Sequence, residues 1–83
     1  MLSNYIVVIE SWYEPEYGHS YGHKTEYGIS FNIKKSKETI RDLYKGYVCR
    51  SETPYYMKLD KYSQYDRCAS IIEVTFKEPD YEL

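Results

Sequence analysis

The sequence predicts an α+β domain with a mostly antiparallel sheet and one helix packed on a face, in the order β-β-α-β-β. Apolar and polar residues alternate along residues 25–34 and again along residues 69–77, which is typical of half-exposed strands. Between these stretches, apolar residues follow a helical spacing. A chain of 83 residues has room for one unit of this kind, so residues 1–83 are expected to form a single small domain.

The first predicted element is a strand over residues 5–13, where Tyr, Ile, Val and Trp favour the pleated backbone. Both of its faces are apolar at the start, which predicts a central strand covered on both sides. Residues 14–24 are predicted to form a loop, because Pro15, Gly18 and Gly22 interrupt the alternation.

The clearest strand pattern covers residues 25–34 and should pair with the first strand as an antiparallel hairpin with a long loop. Its apolar positions are expected to face the core: Thr25, Tyr27, Ile29, Phe31 and Ile33.

A helix is predicted over residues 37–45, with Ser36 as its N-cap and Gly46 immediately after its last turn. The apolar residues at helical spacing should form the stripe that packs on the sheet: Ile40, Leu43, Tyr44 and Tyr47.

The remaining chain predicts extended structure. Residues 47–50 fit a short strand, residues 55–59 another extended stretch, and residues 69–77 the last strand, before an acidic tail at 80–83. Residues 62–68 suit a short helix and a loop equally. The three-residue spacing of Tyr62, Tyr65 and Cys68 favours a helix, whereas the polar residues between them are equally typical of a loop.

Composition excludes several classes of function. The net charge is −2, from 11 Lys and Arg against 13 Asp and Glu, which argues against the basic surface of a nucleic-acid-binding protein. The longest apolar run, residues 5–9, is far too short to span a bilayer, so no membrane partner is expected. The first residues lack a basic segment, which predicts no signal peptide and a cytoplasmic location.

Two histidines and two cysteines are the candidate residues for catalysis or metal binding. His19 and His23 have a spacing that zinc sites use, but Cys49 and Cys68 lie far apart in the chain, so no metal and no cofactor is predicted. Cys49 and Cys68 are expected to be reduced thiols. A small enzyme with His19 or His23 as general base stays a third interpretation, although no catalytic motif accompanies them.

Tyrosine is the unusual feature of the composition, with 12 Tyr against 2 Phe and 1 Trp. Tyrosine is enriched in binding surfaces because its ring is amphipathic and loses little rotamer entropy. The aromatic residues in and beside the first loop therefore predict a partner-binding surface, composed of Trp12, Tyr13, Tyr17, His19, Tyr21 and His23. The alternative is that tyrosine replaces Phe and Leu in the core.

These observations predict a small protein-binding inhibitor or adaptor that acts by steric occlusion. No motif identifies a family, but in size and composition the chain is similar to phage-encoded inhibitors of bacterial defence nucleases, which implies a host nuclease or defence complex as partner. The alternative is a small nucleic-acid or nucleotide-binding module that uses the sheet tyrosines and the basic stretch 34–45. A homo-oligomer is compatible with both.

Overall fold

In a computed structural model that describes residues 4–79, the chain forms one helix and a single sheet of five antiparallel strands. In chain order, the elements are β1 (Tyr5–Pro15), β2 (Tyr21–Ser30), α1 (Ile33–Leu43), β3 (Val48–Thr53), β4 (Tyr56–Ser63) and β5 (Cys68–Lys77). The strands lie in the order β2-β1-β5-β4-β3, so β2 and β3 form the two edges. Among the described residues α1 is the one helix, and it is too short and too polar to cross a membrane.

The order β-β-α-β-β predicted from the sequence is one strand short. The stretches 47–50 and 55–59 correspond to two complete strands, β3 and β4, which a tight turn joins into a hairpin. The predicted loop over residues 14–24 is also wrong, because β1 continues to Pro15 and β2 already begins at Tyr21. The acidic tail at 80–83 lies outside the described residues.

The buried core lies on one face of the sheet, which we call the core face. β1, β5 and β4 supply most of it through cross-strand neighbours such as Val7 with Phe76 and Leu59 with Ile72. The helix contributes one residue to the same cluster, which consists of Val7, Ile40, Met57, Leu59, Ile72, Val74 and Phe76.

The opposite face of the sheet, the outer face, is more open than the sequence predicts for β1. β1 is an interior strand, paired with β2 on one side and β5 on the other, as expected. However, Ile6 is exposed while its neighbour Val7 is buried, so the expectation of cover on both sides is wrong. Val8 and Trp12, which share this face with Ile6, are half-buried within the part of the chain that the structure describes.

The prediction for β2 assigned its apolar side chains to the wrong face. Ile29 is paired with Ile6 and Tyr27 with Val8, and antiparallel partners share a face, so both side chains lie on the outer face. Tyr27 is 75% exposed, and Ile29 and Phe31 are also exposed. The side chain that β2 buries is the small Ser30. Alternation separates the two faces of a strand, but the register with β1 decides which one meets the core.

The helix begins earlier than predicted, at Ile33. The Asn32 side chain is the N-cap and accepts a hydrogen bond from the Lys35 backbone N–H at 3.0 Å. Ser36, predicted as the cap, lies inside the first turns, and its hydroxyl is 2.6 Å from that of Ser30. The helix therefore starts directly after β2, which shifts its inward stripe along the sequence.

Leu43 is on the exposed side of α1, contrary to the prediction. It is 72% exposed, whereas Ile40 is 6% exposed and Tyr44 packs partly buried against the core. With 100° per residue, Leu43 lies about 90° around the axis from the middle of the inward stripe. A helical spacing alone did not separate Leu43 from its buried neighbours.

A buried cation ties the helix to the edge strand β3. Lys37 is 7% exposed, and its Nζ donates to Glu52 Oε2 at 3.0 Å and to the Thr53 carbonyl at 2.6 Å. The Arg41 guanidinium donates to the other carboxylate oxygen of Glu52. The hydrogen bond from Lys37, reinforced by Arg41, holds the pKa of Glu52 below its ordinary value.

The buried and exposed positions of α1 can be tested by a matched pair of truncations. Ile40→Ala should lower the free energy of unfolding by about 2–5 kcal/mol because it leaves a cavity in the core. Leu43→Ala should change it by less than about 0.5 kcal/mol. Urea denaturation of both variants checks this, and a larger loss for Leu43→Ala would place the inward stripe elsewhere.

The Lys37–Glu52 contact predicts a pH dependence. The folded pKa of Glu52 is below its ordinary value of 4.5, so its contribution is present above that value and is lost as pH falls through the folded pKa. The difference in unfolding free energy between the wild type and Glu52→Gln should therefore shrink as pH is lowered below about 5. The control is Glu38→Gln, at an exposed helix position; an equal pH trend there would contradict the assignment.

Candidate functional site

Two turns meet at one end of the sheet. Residues 16–20 join β1 to β2 and residues 64–67 join β4 to β5; because β1 and β5 are neighbours, the turns lie side by side. The Glu16 backbone N–H donates to the Arg67 carbonyl at 2.9 Å, and the Tyr62 hydroxyl donates to Glu16 Oε2 at 3.0 Å. We call the surface formed by residues 12–23 and 62–67 the tyrosine-rich end.

The tyrosine-rich end has several exposed aromatic side chains. Tyr17 is 80% exposed and Tyr65 is 97% exposed, and three further tyrosines of this end, Tyr13, Tyr21 and Tyr62, are also exposed. Isolated apolar side chains on a surface are ordinary, but several aromatic rings at one end mark a contact surface.

The six residues predicted as a partner-binding surface all lie at this end, but they divide between the two faces. Trp12 and His23 stack on the outer face, with ring centroids 5.5 Å apart. Tyr13 and Tyr21 stack on the core face at 5.3 Å. The turn between them carries the other two, Tyr17 and His19.

A β-bulge produces this division. β1 and β2 are in register from Tyr5 to Ser11 and again at Tyr13 with Tyr21, so Gly22 and His23 together lie opposite Trp12. Gly22 has a φ of +72°, which favours glycine, and a Cβ there would lie 2.9 Å from the Tyr13 ring. The bulge therefore turns Tyr21 onto the face of Tyr13 and leaves His23 beside Trp12.

A cavity of about 350 Å³ opens beside the Tyr13–Tyr21 stack on the core face. Its lining includes Tyr13, Tyr21, Lys61, Cys68 and Ser70. The Tyr21 hydroxyl is 3.8 Å from Cys68 Sγ, and this contact raises the pKa of Tyr21. The pKa of Tyr62 is raised by its hydrogen bond to Glu16. Tyrosine is neutral at physiological pH with its ordinary pKa, and both shifts favour the protonated hydroxyl further.

The histidines and cysteines are not assembled into one site. His19 is in the exposed turn and His23 stacks on Trp12. Cys49 is on β3 and Cys68 on β5, with β4 between them, and both are free thiols. Over residues 4–79, no group of three or more His, Cys, Asp or Glu side chains is placed to hold a metal ion.

The basic stretch 34–45 is less available than its sequence indicates. Lys37 and Arg41 both pair with Glu52, as described above. The exposed cations that remain on this stretch, Lys34, Lys35 and Lys45, have no ion-pair partner among the described residues. Two of the five cations in this stretch are therefore engaged in ion pairs within the fold and are less available to bind a phosphate backbone.

Sequence reasoning missed that Tyr62 and Tyr65 belong to the same surface as Tyr17. Residues 62–68 were ambiguous because their spacing suits a helix as well as a turn. The pairing of β1 with β5 places this turn beside the first one, and that pairing has no local signal in the sequence.

No protein-family model, curated protein or solved structure matches this chain.

The bulge predicts opposite outcomes for two glycines of β2. Gly22→Ala should destabilise the protein by about 1–2 kcal/mol, because alanine is strained at positive φ, and should disturb the Tyr13–Tyr21 stack. Gly28→Ala is the control, since no atom lies within 4 Å of its Cβ position, and it should be neutral or stabilising by up to about 1 kcal/mol. Denaturation and near-ultraviolet circular dichroism measure both effects; equal stability of the two variants would contradict the bulge geometry.

Proposed function

We propose that this protein is a small protein-binding inhibitor or adaptor that covers part of a larger protein with its tyrosine-rich end. The observation that carries the proposal is the convergence of five exposed tyrosines, from Tyr13 to Tyr65, at the end of the sheet where two turns are held together by hydrogen bonds. Its specific form, a phage-encoded inhibitor of a bacterial defence complex, rests on likeness in size and composition alone.

The end has the properties of a binding surface that is ordered before contact. Glu16 bonds to both Tyr62 and the Arg67 carbonyl, so the two turns lose little freedom on binding. Tyrosine rings bury large area at low entropy cost, and a few such anchors dominate the energy of most protein interfaces. A narrow end of this kind suits insertion into a partner's cleft, which would block it sterically.

One observation favours the alternative, a nucleic-acid-binding module. Tyr27 is exposed on the outer face of the sheet, where a base could stack on its ring. The same face carries Glu10 and Glu73 as direct cross-strand neighbours, with Lys58 opposite Glu73, so the carboxylates offset the lysine and the described part of the face has no basic cluster of the kind that neutralises phosphates. The protein-binding proposal is therefore the better supported of the two.

The proposal is tested with a photo-crosslinking residue at position 17 or 65, and at position 27 as the comparison. A partner that crosslinks from any of these positions is then purified for affinity measurement, and the proposal expects it to crosslink from 17 and 65 but not from 27. Tyr17→Ala and Tyr65→Ala should each weaken its binding by about 2 kcal/mol, roughly thirtyfold. Tyr27→Ala and Lys35→Ala should leave it within about twofold.

The alternative makes the opposite prediction in the same experiment. If Tyr27→Ala and Lys35→Ala lose binding, and the affinity falls steeply with salt while Tyr17→Ala and Tyr65→Ala bind normally, the protein-binding proposal is wrong. Trp12 is not a suitable probe because it is half-buried against His23, so its replacement would also disturb the fold.

A further inference from the structure

The two edges of the sheet differ in how well they are protected. β3 is six residues long, its register shifts between Cys49 and Ser51, and its Glu52 is held by α1. Arg50, also in β3, is paired with Asp60 of β4 at 2.8 Å. Short length, a bulge and engaged charges are features by which proteins prevent further strand pairing at an edge.

β2 is less protected, because its bulge at Gly22 and His23 lies at one end and leaves residues 24–30 in regular register. It is ten residues long, contains no proline, and has a strand neighbour on one side only within residues 4–79. Every residue from Tyr21 to Ile29 is exposed, and the outer-face residues Tyr27 and Ile29 are apolar. A long exposed edge with apolar side chains is a template for another strand.

We propose that β2 pairs antiparallel with β2 of a second copy of this chain, about a two-fold axis that passes through Thr25. A second copy fits this edge because the edge carries one charge of each sign, so a cation of one copy can lie opposite a carboxylate of the other. Lys24 and Glu26 project from the same face, 3.4 Å apart and both exposed. Such an axis places Lys24 of each copy opposite Glu26 of the other, which makes two intermolecular ion pairs.

Other positions of the axis are less favourable. A two-fold axis at Lys24 would place two lysines opposite each other, and an axis at Glu26 would place two carboxylates opposite each other, which destabilises a strand pair. An axis at Tyr27 would place Glu26 opposite Gly28 and would leave both charges without an opposite partner. The axis at Thr25 also sets His23 opposite Tyr27, and both side chains lie on the outer face.

The pairing would join two five-stranded sheets into one continuous antiparallel sheet, whose two halves are related by the two-fold axis. The turns that carry Tyr17 and Tyr65 would then lie at opposite ends of the dimer, outside the new strand pair, so the proposed partner contact at these two residues can be tested independently of the dimer. The contact is smaller than the roughly 1,200 Å² of a standard interface, so we expect micromolar or weaker association.

The experiment measures self-association by sedimentation equilibrium at increasing protein concentration. Lys24→Glu and Glu26→Lys should each raise the dissociation constant about fivefold or more, because like charges then face each other twice. The double variant Lys24→Glu/Glu26→Lys should restore the wild-type value within about twofold, since the pairs are only exchanged. Lys34→Glu, at an exposed position of the first turn of α1, is the control for net charge and should have no effect.

A second measurement tests the position of the axis directly. A residue on the axis meets its own copy, and paired Cα atoms about 4.5–5.5 Å apart fit a disulfide. Thr25→Cys should therefore form a disulfide-linked dimer on mild oxidation, in a Cys49→Ser/Cys68→Ser background, while Tyr27→Cys should stay monomeric. A wild type that is monomeric at millimolar concentration overturns the proposal, as does preferential crosslinking of Tyr27→Cys or a folded double variant that fails to restore association.

Discussion

The antiparallel pairing of β1 with β5 is the constraint on which the rest of the structure depends. It runs without interruption from Ile6 with Lys77 to Pro15 with Cys68, and it forms the middle of the sheet. Because paired residues share a face, it aligns Val7 with Phe76 and Ile9 with Val74 on the core face. The same pairing brings the turn after β1 beside the turn before β5, which creates the tyrosine-rich end.

The sequence predicted the elements better than their faces. The alternation in 69–77 and the apolar run in β1 correspond to β5 and β1, because side-chain period and residue preference are local properties. The prediction that Tyr27 and Leu43 face the core is wrong. The register with β1 decides which face of β2 meets the core, and the Asn32 cap decides where α1 begins. Each error came from a contact between elements that no local pattern encodes.

The same distinction applies to the candidate site. The sequence identified the aromatic composition of residues 12–23, and all six residues do lie at one end. It did not predict the bulge at Gly22, which divides them between two faces, or the arrival of Tyr62 and Tyr65 from another hairpin. A glycine in a loop pattern looks the same whether it serves a turn or a bulge within a continuing strand.

Among the residues that the structure describes, the tyrosines include half-buried rings with bonded hydroxyls and largely exposed rings without a bonded hydroxyl. Tyr47 and Tyr56 are half-buried, and their hydroxyls are bonded to Ser70 at 2.8 Å and Glu73 at 2.5 Å. Burial and the contact with Glu73 raise the pKa of Tyr56 to about 12, so its hydroxyl keeps its proton and its hydrogen bond across the physiological range.

Tyr17 and Tyr65 are different, because their hydroxyls have no hydrogen-bond partner among the described residues and their rings are largely exposed. Tyr47, by contrast, packs partly buried against the core, so tyrosine does replace other apolar residues there, as the plainer interpretation of the composition held. That interpretation explains the half-buried rings with bonded hydroxyls. It does not explain exposed rings with unbonded hydroxyls on two adjoining turns, where neither packing nor hydrogen bonding within the described fold requires an aromatic residue.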